Sequence, residues 1–152
     1  MISITRESPL QDDLALLQTR HQADMHAQTP PESIHMLPPD ALAADDVRFF
    51  VMRQAGQPVG MGACKLIDPT HAELKSMHVL AEMRGRGLAA RLLDHLITEA
   101  RAEGITRLSL ETGVEPIFAP ARRLYAAAGF VECGPFGSYG VDPNSCFMTR
   151  TI

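Results

Sequence analysis

The spacing of hydrophobic and polar residues changes several times along the chain, and each change marks a predicted element. Short segments that alternate, or that are rich in β-branched and aromatic residues, predict strands. The predicted strands are residues 2–6, 47–54, 59–67, 72–79, 106–112, 130–134 and 145–150. Residues 55–58 contain a glycine and a proline, so the second and third strands are predicted to form a β-hairpin.

Other segments place hydrophobic residues three and four positions apart, which predicts amphipathic helices. The predicted helices are residues 10–27, 87–104 and 119–129. The clearest is the second, whose apolar face consists of Leu88, Leu92, Leu93, Leu96, Ile97 and Ala100. Residues 29–45 include four prolines and predict a loop with one helical turn near residues 40–42.

The order of these elements predicts the fold class. A hairpin and a third strand come first, a strand–helix–strand crossover follows, and a helix with two closing strands ends the chain. This order predicts an α+β protein with a mixed, mostly antiparallel sheet and a central strand–helix–strand core. A length of 152 residues predicts one domain over residues 1–152.

Composition and charge exclude several classes of function. A hydrophobic fraction of 45% is that of an ordinary globular protein. The net charge of −4 argues against a nucleic-acid partner, because a protein that binds nucleic acid normally has a basic surface. The N-terminal segment has no apolar run typical of a secretory signal, and no apolar run is long enough to span a membrane. The three scattered cysteines form no metal motif and predict buried free thiols. We therefore expect a cytoplasmic protein with no metal and no membrane partner.

Two glycines stand between charged residues at the start of the second helix, in the segment RGRGLAARLL. A glycine turn that leads into a helix directs several backbone N–H groups towards one point, where the helix dipole favours an anion. Arg84 and Arg86 add donors suited to phosphate oxygens. The turn predicts a phosphate or pyrophosphate site, and an ordinary turn with solvated arginines is the alternative.

Known phosphate-binding motifs fit this turn unequally. A Walker loop requires a GK[ST] ending, which is absent. The segment GRGLAA satisfies the dinucleotide pattern GxGxxA, and Glu111 lies near the position of the ribose-binding acid. In that fold, however, the strand leads directly into the first glycine, whereas residues 80–84 intervene here. Too little chain follows Gly87 for the remaining strands of a doubly wound sheet.

The same segment resembles motif A of the GNAT superfamily of N-acetyltransferases, R/Q-x-x-G-x-G/A, with Arg84, Gly87 and Ala89 at the matching positions. ARRLYAAAGF resembles the A-x-x-L-Y-x-x-x-GF element of that family, so the resemblance covers residue 47 to the C-terminus. The segments PPESIHML and ECGPFGSYGVDPNSCFM further resemble its bacterial YsnE-like subgroup.

The resemblance implies acetyl-CoA as the co-substrate. It implies that the pyrophosphate lies on the turn, and that the pantetheine arm pairs with the end of the motif strand. The implied cofactor-binding residues are Met77, His78, Val79, Arg84, Gly85, Arg86, Gly87, Leu88 and Ala89. Phe118 departs from the family, which often has a cofactor-contacting asparagine at that position.

The resemblance also implies the catalytic groups. Glu73 stands where some members present a general base, and Tyr125 matches the tyrosine that protonates the leaving thiolate. The N–H of Val79 is the expected oxyanion donor. Glu73 could instead be a solvated strand carboxylate, and Tyr125 a core tyrosine.

His35, Glu111 and Tyr139 are candidates for binding the acceptor, the primary amine of a small molecule or peptide. Direct transfer through a tetrahedral intermediate is the expected reaction. A non-catalytic acyl-CoA-binding or sensor module is the alternative, and the sequence leaves a homodimer open.

Overall fold

The structure, a computed structural model, describes residues 1–152 and contains one seven-stranded sheet and four helices. The strands are β1 (Ile2–Arg6), β2 (Val47–Gln54), β3 (Gln57–Asp68), β4 (His71–Val79), β5 (Arg107–Gly113), β6 (Val131–Cys133) and β7 (Ser145–Thr151). The helices are α1 (Ala15–Gln28), α2 (Pro39–Leu42), α3 (Leu88–Ala102) and α4 (Ala119–Ala127). The predicted elements and their order are confirmed.

The strands lie in the order β1-β2-β3-β4-β5-β7-β6. Only β4 and β5 are parallel, because α3 connects them and returns the chain to the same end of the sheet. Every other pair is antiparallel, so the predicted mixed, mostly antiparallel sheet is confirmed. Strands from both ends of the chain belong to this sheet.

A large part of the core lies between the sheet and the apolar face of α3. The six apolar residues predicted for that face are all buried. Three of them, Leu92, Leu93 and Leu96, are almost completely inaccessible to water. Each side chain of this size contributes roughly 1.5–3 kcal/mol by leaving water, so this face holds α3 against β3 and β4.

The first helix begins later than its hydrophobic spacing predicts. Leu10 is 54% exposed, whereas Leu14 and Leu17 are buried. The N–H of Leu10 donates to the Ser8 hydroxyl at 3.1 Å, and this side-chain turn replaces the first helical turn. A 3-10 turn at Asp12–Leu14 then leads into α1.

The three cysteines were predicted to be buried, and the structure confirms this for one of them. Cys64 is buried, and burial raises the pKa of its thiol to about 12. Cys133 and Cys146 are only half-buried: Cys133 lies on the edge strand β6, and Cys146 lies on β7 just beyond the residues that pair with β6. None of the helices has both the length and the apolar character needed to cross a membrane.

A bulge interrupts β4 before its end. Met61 pairs with His78 and Ala63 pairs with Lys75, so Ser76 and Met77 together lie opposite Gly62. Ser76 has a left-handed backbone with φ of 57°. A Cβ on Gly62 would lie 2.7 Å from the Met77 sulfur, so a larger residue there would displace the Met77 side chain. The extra residue reverses which side chains face α3, because alternation is interrupted at the bulge.

Candidate functional site

The turn between β4 and α3, residues 84–89, has unpaired hydrogen-bond donors. The N–H groups of residues 85–89 make no backbone hydrogen bond within the protein, and the first bond into α3 is donated by Arg91 to Gly87. Gly85 and Gly87 have φ of 80° and 74°, and open space lies where their Cβ atoms would be. Consecutive free donors at a helix N-terminus form a site suited to an anion.

The two arginines of the turn have different environments. Arg84 Nε donates to the Val79 carbonyl at 3.0 Å, and its Nη2 lies 3.5 Å from an Asp24 carboxylate oxygen on α1. Arg84 therefore braces the turn against the end of β4. Arg86 is exposed and has no hydrogen-bond partner, so its guanidinium is free to meet a ligand.

The adjacent strands β4 and β5 separate beyond their first residues. Their parallel pairing ends at Leu74 and Leu110, although β4 continues to Val79 and β5 to Gly113. The N–H of Leu80 donates to the Val59 carbonyl, which makes Gly60–Val79 a non-hydrogen-bonded pair. The N–H and carbonyl groups of Val79 therefore point away from β3, into the gap between β4 and β5.

The residues beside Val79 are oriented by the bulge. Met77 is the second residue of the bulge, and its side chain packs beneath α3 near Gly62. The peptide groups of His78 point towards β3. The ring of His78 lies on the opposite face, in edge contact with His21 of α1 at 5.3 Å between centroids.

Tyr125 lies on α4, within the core and against Phe130 at 5.9 Å between ring centroids. Its hydroxyl makes no hydrogen bond, and burial raises the pKa of that hydroxyl above its usual value. One turn earlier, Arg122 donates to the carbonyls of Gly113 and Glu115 at 2.6 and 3.2 Å. Arg122 therefore ties α4 to the end of β5.

A buried polar cluster lies on the face of β4 opposite α3, and we call Glu73, Lys75 and Tyr139 the β4 cluster. Lys75 Nζ donates to the Glu73 carboxylate, the Tyr139 hydroxyl and the His35 carbonyl, each at 3.1 Å. The Tyr139 hydroxyl donates to the same Glu73 oxygen. The Glu73 and Lys75 side chains are only 10% and 9% exposed. Glu73 is therefore not a solvated carboxylate.

The candidates for acceptor binding lie around this cluster. The His35 ring contacts the Tyr139 ring edge-on at 5.1 Å, and its Nε2 lies 3.8 Å from an Asp142 carboxylate oxygen. Glu111 accepts a hydrogen bond of 2.7 Å from Ser145, and burial raises the pKa of its carboxyl group. The structure thus brings His35 and Tyr139 into contact, with Glu111 held separately on β5.

Lys75 is the residue that the sequence analysis missed. It lies two positions after Glu73, on the same face of the strand, and this spacing is its only local signal. Its three acceptors come from its own strand, from the loop after α1 and from the loop before β7. The role of Lys75 could be recognised only from the loops that cover β4, because these loops bury the residue and supply two of its three acceptors.

The contact between His21 and His78 predicts a loss of stability in acid. Burial is the main cause that lowers the pKa of each histidine from 6.5 to about 4. The neighbouring His78 adds to this effect at His21, and Arg84 adds to it at His78, whereas Asp24 opposes both shifts. The folded state therefore resists protonation that the unfolded state accepts. The stability that the two neutral histidines contribute is fully present above about pH 6.5 and is lost as the pH decreases towards 4.

Urea unfolding at several pH values measures this loss. We expect His21→Gln to flatten the dependence between pH 6.5 and 4. The control is His26→Gln, an exposed histidine of the same helix, which should follow the wild-type curve. A wild-type unfolding midpoint that stays constant over this range would contradict the prediction.

Comparison with known proteins identifies the family. The model of the Acetyltransferase (GNAT) family matches residues 14–130. An uncharacterized N-acetyltransferase, YsnE of Bacillus subtilis, is 43% identical over 136 residues, which are 90% of either chain. An IAA acetyltransferase of Azospirillum brasilense is 41% identical, covering 99% of this chain and 98% of its own.

The solved structures agree with this match. A candidate acyl-CoA N-acyltransferase of Klebsiella pneumoniae superposes with a TM-score of 0.82 at 28% identity, covering 99% of this chain and 97% of its own. The family match covers most of the chain, and the Klebsiella pneumoniae structure shares the fold over nearly its whole length. This protein therefore belongs to the GNAT family of acetyltransferases.

Proposed function

We propose that this protein transfers the acetyl group of acetyl-CoA directly to the primary amine of a small molecule or peptide. The observation that carries the proposal is the run of free N–H groups at residues 85–89, in front of open space. These donors and the exposed Arg86 suit a pyrophosphate, since both supply hydrogen bonds to negatively charged oxygens. Arg84 contributes by bracing the turn.

The gap between β4 and β5 suits the extended pantetheine arm. The N–H of Val79 points into this gap, where an extended ligand could pair with the end of β4 as a further strand. Met77, which immediately precedes His78, is the other residue that we assign to this contact. The main chain of His78 pairs with β3, so we assign His78 no cofactor contact. The N–H of Val79 is the proposed oxyanion donor, because it points to the place where the reacting carbonyl would lie.

Tyr125 is the proposed general acid for the leaving thiolate. Its raised pKa keeps the hydroxyl protonated at neutral pH, and no protein acceptor competes for the proton. A thiolate that leaves beside this hydroxyl would receive the proton as the carbon–sulfur bond breaks.

The contacts of Glu73 support a positioning role. Its carboxylate accepts hydrogen bonds from Lys75, whose side chain is buried with it, and from the half-buried Tyr139. Both hydrogen bonds are made to the same carboxylate oxygen, so the carboxylate holds Lys75 and Tyr139 in place. We propose that Glu73 positions the acceptor loops and that His35 or water removes the proton of the amine.

The proposed function is tested by measuring CoA release from acetyl-CoA with a panel of primary amines, alongside calorimetric binding of CoA. We expect turnover with at least one amine. We also expect Gly87→Val to weaken CoA binding at least tenfold, since a branched side chain would fill the open space and strain the turn.

Gly56→Val is the matched control, because Gly56 also has a left-handed backbone (φ of 81°) with open space around it. It lies in the β2–β3 turn, so the variant should bear similar strain and bind CoA normally. Tight CoA binding without turnover of any amine would favour the sensor module. Equal CoA affinity in Gly87→Val and wild type would contradict the assignment of the turn.

A further inference from the structure

A cavity of about 440 Å³ lies between α1, residues 34–42 and the strands β3 and β4, and we call it the α1 pocket. Its walls include Gln18, Gln22, His21, Met36, Met61 and Ser76. The volume lies within the range of small-molecule sites. None of the residues already assigned to the donor or to catalysis lines it.

The α1 pocket reaches the strand that would hold the acyl donor. Ser76 lines it at the bulge of β4, immediately before Met77. The Ser76 hydroxyl is buried and has no hydrogen-bond partner in the protein. A buried hydroxyl without a partner destabilises the protein by about 1–3 kcal/mol. A polar ligand group that formed a hydrogen bond with Ser76 would remove this penalty.

The chemistry of the lining is mixed and uncharged. No aspartate, glutamate, lysine or arginine contributes to it, and its polar groups are amides, hydroxyls and imidazoles. His21 is neutral at pH 7, since burial lowers its pKa to about 4. The nearby charges are engaged elsewhere, as in the Arg20–Glu82 pair and in the β4 cluster.

We propose that the α1 pocket binds the body of the acceptor, and that this body is a small, uncharged and partly apolar group attached to the reacting amine. This inference rests on the proposed function. A carboxylate or a second cation would lose its hydration in the pocket without gaining a counter-charge. Such acceptors are therefore rejected, and a neutral body is accepted.

A matched series of arylamines that differ only in charge tests this proposal: 4-aminobenzamide, 4-aminobenzoate and 4-aminobenzamidine. Each is titrated into the CoA-bound protein at pH 7.5, and the NMR signals of the His21 ring report occupancy. We expect the neutral amide to shift these signals and to bind at least tenfold more tightly than either charged analogue, and its kcat/KM in CoA release to exceed theirs.

Ala15→Phe, which fills the α1 pocket from α1, should weaken binding of the amide at least tenfold. Ala27→Phe is the control, on an exposed position of α1 outside the pocket, and should bind the amide as wild type does. Equal or tighter binding of a charged analogue would overturn the proposal, as would turnover of amines without any change at His21. In both cases CoA binding and turnover would persist, so the proposed function would survive.

Discussion

Replacement of Tyr125 by phenylalanine is expected to lower kcat about 100-fold or more while CoA binds with nearly unchanged affinity. The change removes one hydroxyl and keeps the ring, which packs against Phe130 in the core. Since the hydroxyl makes no hydrogen bond in the protein, its loss should leave the melting temperature close to that of the wild type. A loss of rate without a loss of stability is the effect of removing a general acid.

The measurement combines steady-state kinetics, calorimetric CoA binding and thermal unfolding of the same preparation. Because burial raises the pKa of Tyr125, the wild-type kcat should not fall between pH 7 and 9 through deprotonation of this group. Tyr139→Phe is the comparison, since it removes a hydroxyl from the β4 cluster and should act mainly on the acceptor KM. An unchanged kcat in Tyr125→Phe would mean that the thiolate takes its proton from another source.

Replacement of Lys75 by methionine is expected to lower the free energy of unfolding by roughly 3 kcal/mol, the scale measured when one partner of a buried ion pair is removed. Methionine fills a similar volume, so the loss comes mainly from the Glu73 carboxylate left buried without its cation. The acceptor KM should rise as well, because Lys75 also holds the His35 carbonyl and the Tyr139 hydroxyl.

The control is Lys65→Met on β3, where the lysine has no ion pair and the change should cost little. Adding Glu73→Gln to Lys75→Met removes the unpaired charge and should recover much of the lost stability. Hydrogen exchange should show faster opening of the loops around His35 and Tyr139 in Lys75→Met. If the single and the double variant are equally unstable, the Glu73–Lys75 pair does not stabilise the fold.

Much of the fold followed from local patterns. The apolar face of α3 was predictable because six residues at helical spacing share it, and all six are buried. The glycine turn was equally predictable, since Gly85 and Gly87 adopt left-handed backbones and the unpaired donors follow from the start of a helix. The start of α1 was not, because the Ser8 hydroxyl competes for the N–H of Leu10.

The site shows the limit of local reasoning. Glu73 and Tyr139 were both identified as candidates, but for separate roles, and Lys75 was not considered. In the structure one ammonium group joins them and the His35 carbonyl. These partners lie 40 and 64 positions from Lys75 along the chain, so no sequence spacing indicates the contacts.

The sequence by itself determined the order of strands and helices, the class of the fold and the turn that suits a pyrophosphate. These features depend on side-chain periodicity and on backbone preferences within a few residues. Only the tertiary structure decided which groups remain free to react. The bulge at Ser76 set the direction of Met77 and His78, and the loops that cover β4 engaged Glu73. These contacts depend on long-range packing, because the same distant segments that bury a polar group also supply its hydrogen-bond partners.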